Sequence, residues 1–119
     1  MRWDVEYTDE FFSWWSALDE DEQESLLASI DLLATAGPRL GRPHADAVYG
    51  SKHSNMKELR TQHAGRPYRT FFAFDPRRTV ILLIGGEKTG EPRFYEKMIP
   101  VADRLYDVYL REIEDEGLI

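Results

Sequence analysis

The sequence contains no cysteine, so neither disulfide bonds nor thiolate metal sites can form. It also lacks a long apolar run: the longest, residues 80–84, has the length of a strand, far below the roughly 18 residues of a membrane span. The charged residues after Met1 do not match a secretory signal. These absences predict a cytoplasmic protein without a membrane partner, and a length of 119 residues predicts one domain over 1–119.

Basic residues are few, but they are concentrated in the middle of the chain. There are 15 Lys and Arg against 22 Asp and Glu, which gives a net charge of −7. Residues 1–38 carry a charge of −9, residues 39–97 carry +6 and residues 98–119 carry −4. A solvated charged face is the ordinary interpretation of such a segment. However, a phosphate responds to the local potential, so the basic segment is also a candidate phosphate-binding region.

The first third of the chain has the pattern of one strand and two helices. Apolar and polar residues alternate over 3–7, which predicts a half-buried strand. Thr8 is a suitable N-cap for the first helix. Asp19 and Glu22 have the spacing of a capping box for the second helix, which is expected to end at Gly37. The two helices are predicted to form a hairpin that covers one face of a sheet.

The rest of the chain has the pattern of three strands and a final helix. Residues 38–54 are predicted to be a loop with a short extended piece near 47–49. Strands are predicted at 55–61, 68–75 and 79–85, and a helix over 93–116 with Pro100 as a kink or restart. The order β-α-α-β-β-β-α predicts an α+β domain with a small, mainly antiparallel sheet, an N-terminal helical hairpin and a C-terminal helix.

Four basic residues are predicted to meet at one edge of this sheet. A three-strand meander brings together the end of its first strand, the start of its second and the end of its third. The residues at those positions are Arg60, Arg66, Arg69 and Lys88. Strand alternation places Arg60 on the same face as Glu58. Arg69 and Lys88 are expected at an exposed rim, where truncation of both would cost within roughly 1 kcal/mol of stability.

Several segments together resemble the phage-type HigB toxins of the RelE/ParE superfamily. They are KELR at 57–60, GRPYR at 65–69, FAFDPRR at 72–78, GGEKTG at 85–90 and the run from FYEKMIP to ADRLYD at 94–107. The resemblance implies a RelE-like fold and cleavage of messenger RNA in the ribosomal A site. It also implies neutralisation by a HigA-like helix-turn-helix antitoxin, through which alone operator DNA would be bound. Glu58 and Met56 stand where RelE is basic.

The chemistry of RNA cleavage suggests roles for these residues. Attack by the 2′-OH needs a proton acceptor, cations that stabilise the phosphorane and an acid for the leaving oxygen. We assign Arg60 and Arg69 to phosphate stabilisation and Arg66 to substrate positioning, because the guanidinium fork fits phosphate oxygens. Lys88 is assigned to proton acceptance or charge stabilisation, and no metal or other cofactor is required. The predicted RNA-binding residues are Lys57, Arg93 and Tyr95, and Trp14 is the predicted antitoxin contact.

Other interpretations of these residues stay open at this stage. Tyr95 and Trp14 could serve only in core packing, and the glycines around Lys88 lack the spacing of a phosphate-binding P-loop. The three histidines are expected to be solvated, since none has a partner at metal-ligand spacing. At the level of function, the alternatives are a ParE-like toxin that binds gyrase without catalysis and an inactive toxin scaffold that binds only its antitoxin. The cluster of four cations favours the enzyme.

Overall fold

A five-stranded mixed sheet forms the centre of the structure, a computed structural model that describes residues 2–119. Its strands are β1 (Asp4–Tyr7), β2 (Ala45–Ala47), β3 (Lys57–His63), β4 (Arg66–Asp75) and β5 (Thr79–Glu87), in the order β1-β5-β4-β3-β2. The pairing of β1 with β5 is parallel and the other pairings are antiparallel. The helices are α1 (Asp9–Ser16), α2 (Glu20–Ala36) and α3 (Phe94–Asp115). The predicted fold class is confirmed.

The predicted strand list needs two corrections. The chain forms a short strand at Ala45–Ala47, inside the segment predicted as loop and slightly before its expected extended piece. Three residues are too few for a periodicity signal, and β2 exists because its backbone pairs with Lys57–Leu59 of β3. The second correction concerns β5, which continues through Gly85 and Gly86 to Glu87 instead of ending at Gly85.

The helix termini follow the sequence signals. Thr8 Oγ1 accepts a hydrogen bond from the backbone N–H of Phe11 at 2.9 Å and so caps α1. Asp19 and Glu22 form the predicted capping box at the start of α2. Gly37, with φ of +61°, ends α2 in the left-handed region that favours glycine. None of the helices within residues 2–119 is both long and apolar enough to cross a bilayer.

Two apolar clusters cover the two faces of the sheet. On one face, Phe71 and Leu83 pack against α3 through residues such as Tyr106. On the other face, Phe72 and Leu82 pack against the α1–α2 hairpin. Successive residues of β4 therefore enter opposite cores, which explains why residues 71–74 form a continuous apolar run.

Gly85 and Gly86 allow helices to approach both faces of β5. A Cβ at Gly85 would overlap the ring of Trp14 on α1. A Cβ at Gly86 would lie only 2.9 Å from the ring of Phe94 at the start of α3. The double glycine thus has a packing role, and the sequence-based end of the strand was wrong because glycine in a strand can equally mark a close approach.

The turn between β4 and β5 is anchored by a buried carboxylate. The Asp75 side chain is fully enclosed and accepts hydrogen bonds from the Tyr109 hydroxyl at 2.5 Å and from Nη2 of Arg77 at 2.8 Å. Burial alone would raise the pKa of Asp75, but these hydrogen bonds hold it below its ordinary value. The network ties α3 to the end of the hairpin farthest from the predicted cation edge.

Asp75→Asn is expected to make the protein less stable at neutral pH by about 2 kcal/mol, the size of lost hydrogen bonds to a charged group. Because the folded pKa lies below the unfolded one, the stabilisation is fully present above about pH 4 and is lost as the pH falls through the folded pKa. The difference from wild type should therefore shrink in acid. Urea unfolding at pH 7, 5 and 3 measures it, with the exposed Asp4→Asn as control. A difference that does not change with pH would contradict this account.

Candidate functional site

All four predicted cations lie at the same end of the sheet, and three of them, Arg60, Arg69 and Lys88, are on its α3 face. Arg60 of β3 is directly opposite Arg69 of β4, and Arg69 is in turn opposite Gly86 of β5. The backbone N–H of Lys88 donates to the carbonyl of Pro67 at 2.8 Å, which fixes the loop after β5 beside the start of β4. The expected meeting of these residues at one edge is confirmed.

A buried carboxylate lies between the two arginines. Glu58 is 3% exposed, and its Oε2 accepts a hydrogen bond from Nε of Arg60 at 3.0 Å and lies 3.7 Å from Nε of Arg69. Its other oxygen, Oε1, has no hydrogen-bond partner among residues 2–119. Two adjacent guanidinium groups would repel each other, so the carboxylate stabilises the pair. This enclosed oxygen keeps an unused capacity to accept a hydrogen bond.

Arg69 is only 9% exposed, which corrects the expectation of an exposed rim. The first turn of α3 covers this end of the sheet, with the Phe94 ring against Gly86 and the Tyr95 ring edge-on to Phe71 at 6.2 Å. Sequence spacing places Arg69 at this end of the sheet but does not show that α3 begins above it. Truncation of Arg69 therefore removes a buried charge, not a surface one.

Tyr95 and Lys88 lie beside the Arg60–Glu58–Arg69 group on the α3 side. Lys88 Nζ lies 5.1 Å from the centre of the Tyr95 ring, a cation–π contact. Burial raises the pKa of Tyr95; the nearby Glu58 carboxylate acts in the same direction and Arg69 acts against it. Tyr95 therefore stays protonated at neutral pH and can donate a hydrogen bond. Within the described residues, Lys88 has no carboxylate at salt-bridge distance.

Two openings give access to the cluster. One, of about 370 Å³, is lined by Glu58, Arg60 and Tyr95 together with β2 and the residues after it. The other, of about 610 Å³, reaches Arg60 and Arg69 from the α2 side, and the exposed His44 is among its lining residues. We call Glu58, Arg60, Arg69, Lys88 and Tyr95 the cation cluster. Its positive side chains, protonated tyrosine and buried carboxylate can bind an anion and accept a proton nearby.

Arg66 does not join the cation cluster. It lies on the opposite face of β4, where Nη1 donates to Glu87 at 3.0 Å and the guanidinium lies 5.6 Å from the centre of the Tyr68 ring. Positions 66 and 69 are an odd number of residues apart, so alternation directs them to different faces. The topology brings both residues to the same end of the sheet, but only Arg69 lies on the same face as the Arg60 side chain.

Two predicted RNA-binding residues also lie outside the cluster. Lys57 packs over the Phe74 ring at 5.9 Å, on the α1–α2 face. Arg93 is exposed just before α3 and pairs with Glu96 at 2.8 Å.

Trp14, the predicted antitoxin contact, is half-buried between Gly85 and Phe11, with the Phe11 and Trp14 ring centres 5.7 Å apart. Its ring therefore serves the packing of α1 on the sheet. A contact between Trp14 and an antitoxin stays a prediction.

The histidines are less solvated than expected. His53 Nε2 lies 2.8 Å from Asp107 of α3, and His63 Nδ1 lies 2.8 Å from the Ser25 hydroxyl of α2. Only His44 is exposed. The described part of the chain contains no group of three or more metal-ligating side chains.

Glu58 is the residue of the cluster to which the sequence interpretation gave no role. Strand alternation places it on the face of Arg60, and its acidity at a position where RelE is basic marked it as a departure. The available signal was therefore a carboxylate two residues from an arginine in a strand. What could not be read from the sequence is its burial, which turns a surface ion pair into an enclosed one.

Comparison with known proteins identifies the family. The family described as "Phage derived protein Gp49-like (DUF891)" matches residues 13–107, and the chain belongs to it. The Mycobacterium tuberculosis protein named "Putative toxin HigB3" is 48% identical over 98 residues, covering 82% of this chain and 84% of that protein. "Putative toxin HigB2" of the same organism is 42% identical over 105 residues, and the chain spans 52% of its length. The resemblance to HigB proteins is confirmed.

Solved structures identify the fold. A mutant of the E. coli toxin RelE in the free state superimposes with a TM-score of 0.57 at 13% identity, covering 82% of this chain and 96% of that one. The RelBE2 toxin–antitoxin complex of M. tuberculosis gives 0.54 at 14% identity, over 71% of this chain and 96% of the other. The archaeal RelE–RelB complex of Pyrococcus horikoshii gives 0.54 at 13% identity, over 76% and 99%. The fold is therefore RelE-like.

Proposed function

We propose that this protein is the toxin of a type II toxin–antitoxin system and that it cleaves messenger RNA on the ribosome. The RelE-like fold and the HigB-named relatives support the toxin assignment. The observation that carries the enzymatic part is the cation cluster, in which Arg60 and Arg69 face each other across the buried Glu58. Such an arrangement fits the charge that develops on a phosphorane.

In the proposed reaction, Arg60 and Arg69 hold the scissile phosphate. The phosphate oxygens take over the guanidinium donors that Glu58 engages in the free protein, and the Glu58 carboxylate accepts the proton of the 2′-OH. The 2′ oxygen bonds to phosphorus and the bond from phosphorus to the 5′ oxygen breaks. The products are a 2′,3′-cyclic phosphate and a 5′-hydroxyl end.

The other two members of the cluster serve the leaving group and the sugar. Lys88, which has no carboxylate at salt-bridge distance in the described part of the chain, stabilises the leaving 5′ oxygen and gives it a proton. Tyr95, protonated at neutral pH, orients the 2′-OH by donating a hydrogen bond. Arg93, exposed just before α3, contacts the RNA backbone beside the site. The proposal does not use Arg66 or Lys57, which lie on the other face.

The acidic charge of the chain explains why the reaction would need the ribosome. A net charge of −7 gives little counterion-release affinity for bare RNA. In the ribosomal A site, by contrast, the codon is already held in place, so the enzyme need only supply the local cation cluster. Positioning of this kind is a large part of a catalytic rate.

The partner we propose is a HigA-like helix-turn-helix antitoxin that alone contacts operator DNA. Two of the solved structures with this fold are complexes of a toxin with its antitoxin, which supports an antitoxin as the protein partner. Inhibition from a distance, by preventing entry into the ribosome, fits the buried position of Arg69 better than direct coverage of every cluster residue.

A reconstituted translation assay tests the proposed activity. With ribosomes stalled on a defined message, we expect a cut within the A-site codon, detected by primer extension, and no cut in the same RNA without ribosomes. Gyrase supercoiling is measured in parallel with the same protein. Absence of ribosome-dependent cleavage together with inhibition of gyrase would replace this proposal by the ParE-like alternative.

A further inference from the structure

An apolar groove lies on the face of the sheet opposite the cation cluster. It encloses about 310 Å³ between β1, β5 and the two N-terminal helices. Phe11 and Leu82 are buried at its floor, and Tyr7, Phe12 and Leu27 form its walls. The groove arises because α1 carries adjacent phenylalanines, of which Phe11 enters the core and Phe12 is left outside it.

The walls of the groove are unusually exposed for large apolar side chains. Tyr7 is 56% exposed, Phe12 52% and Leu27 53%. The rings of Tyr7 and Phe12 stack on each other with centres 5.8 Å apart, so the exposed surface is contiguous. Single apolar residues on a surface need no explanation, but a contiguous group around a concave site is typical of an interaction surface.

The surroundings of the groove are negative. Asp9 lies one helical turn before Phe12 on α1, and Glu24 lies one turn before Leu27 on α2; both carboxylates are exposed. Residues 1–38 contain ten acids and a single base, Arg2, which is paired with Asp31 at 2.8 Å. A second copy of this chain that docked through the same face would bring the same negative charge, and RNA or an anionic membrane would be repelled as well.

We propose that the groove binds a positively charged amphipathic helix of a protein partner. The apolar stripe of that helix would contact Phe12, Leu27 and Tyr7, and its Lys or Arg residues would pair with Asp9 and Glu24. Addition of a strand is disfavoured, because β1 is only four residues long and offers a short free edge. The proposal does not depend on the nuclease activity, since the groove shares no residue with the cation cluster.

The test uses a synthetic helical peptide of about 18 residues, with leucine on one face and lysine on the others. Fluorescence anisotropy of the labelled peptide measures its affinity for the whole protein. Leu27→Asp is expected to weaken binding about tenfold or more. The matched control is Leu32→Asp, the same change at an exposed leucine of the same helix outside the groove, with an expected change below about twofold.

Charge provides the second part of the test. A peptide with glutamate in place of lysine should not bind, and Glu24→Lys should weaken binding of the lysine peptide. Both substituted leucines are substantially exposed, so the variants should fold, which circular dichroism checks. Equal binding of the lysine peptide by the Leu27→Asp and Leu32→Asp variants would show that the acidic surface attracts the peptide in general, and it would overturn the proposed groove site. Equal binding of both peptides would overturn the charge requirement.

Discussion

Glu58→Gln is expected to lower ribosome-dependent cleavage by about a hundredfold to ten-thousandfold, the range for loss of a general base. Glutamine has nearly the same size and can still bond Arg60, but it cannot take the proton of the 2′-OH. Single-turnover cleavage of messenger RNA on stalled ribosomes measures the effect. The matched control is Glu87→Gln, which alters a carboxylate paired with Arg66 on the other face and should change the rate by no more than about threefold.

A second variant separates proton transfer from structure. Glu58→Ala opens space beside the two arginines, and added formate should restore part of its cleavage rate in a concentration-dependent manner. Formate should not restore Glu58→Gln, because the amide fills that space. Full activity of Glu58→Gln while the wild type cleaves normally would remove Glu58 from the mechanism and leave the proposed function standing. If the wild-type protein does not cleave, both the role of Glu58 and the proposed function are overturned.

The double variant Arg69→Ala, Lys88→Ala is expected to abolish growth arrest when the protein is produced in cells. Each substitution removes a charge directed at the transition state, and loss of one such group commonly costs on the order of a hundredfold in rate. The two losses need not multiply, because residues of one site act together. Growth after induction is the measurement, with a melting curve and an antitoxin pull-down for each protein.

The stability of the two single variants should differ. Lys88→Ala removes a half-buried cation that has no carboxylate partner among residues 2–119 and should cost within about 1 kcal/mol. Arg69→Ala removes one of the two arginines that balance the negative charge of the buried Glu58, and it should cost about 3 kcal/mol or more of stability. Arg69→Lys keeps the charge but loses the planar fork, so it should retain more stability and still be impaired in cleavage. A double alanine variant that folds and still arrests growth would favour the gyrase-binding alternative.

Helix termini and strand periods were correctly predicted because their causes are local. Thr8, the Asp19 capping box and Gly37 act through neighbouring backbone groups, and each does in the structure what its spacing indicates. The alternation of β4 likewise assigns Phe71 and Phe72 to opposite cores. Gly85 shows the limit: its local signal is the same for a strand end and for close packing, and only the position of Trp14 decides between them.

By itself, the sequence determined the α+β class, the order of the main elements and the edge at which Arg60, Arg69 and Lys88 meet. Those properties depend on side-chain period, capping and turn residues within short segments. Only the tertiary structure decided that α3 begins above Arg69, that Glu58 is enclosed between two arginines, and that Arg66 is paired with Glu87. Burial and pairing depend on elements distant in sequence, so residue type and spacing do not contain them.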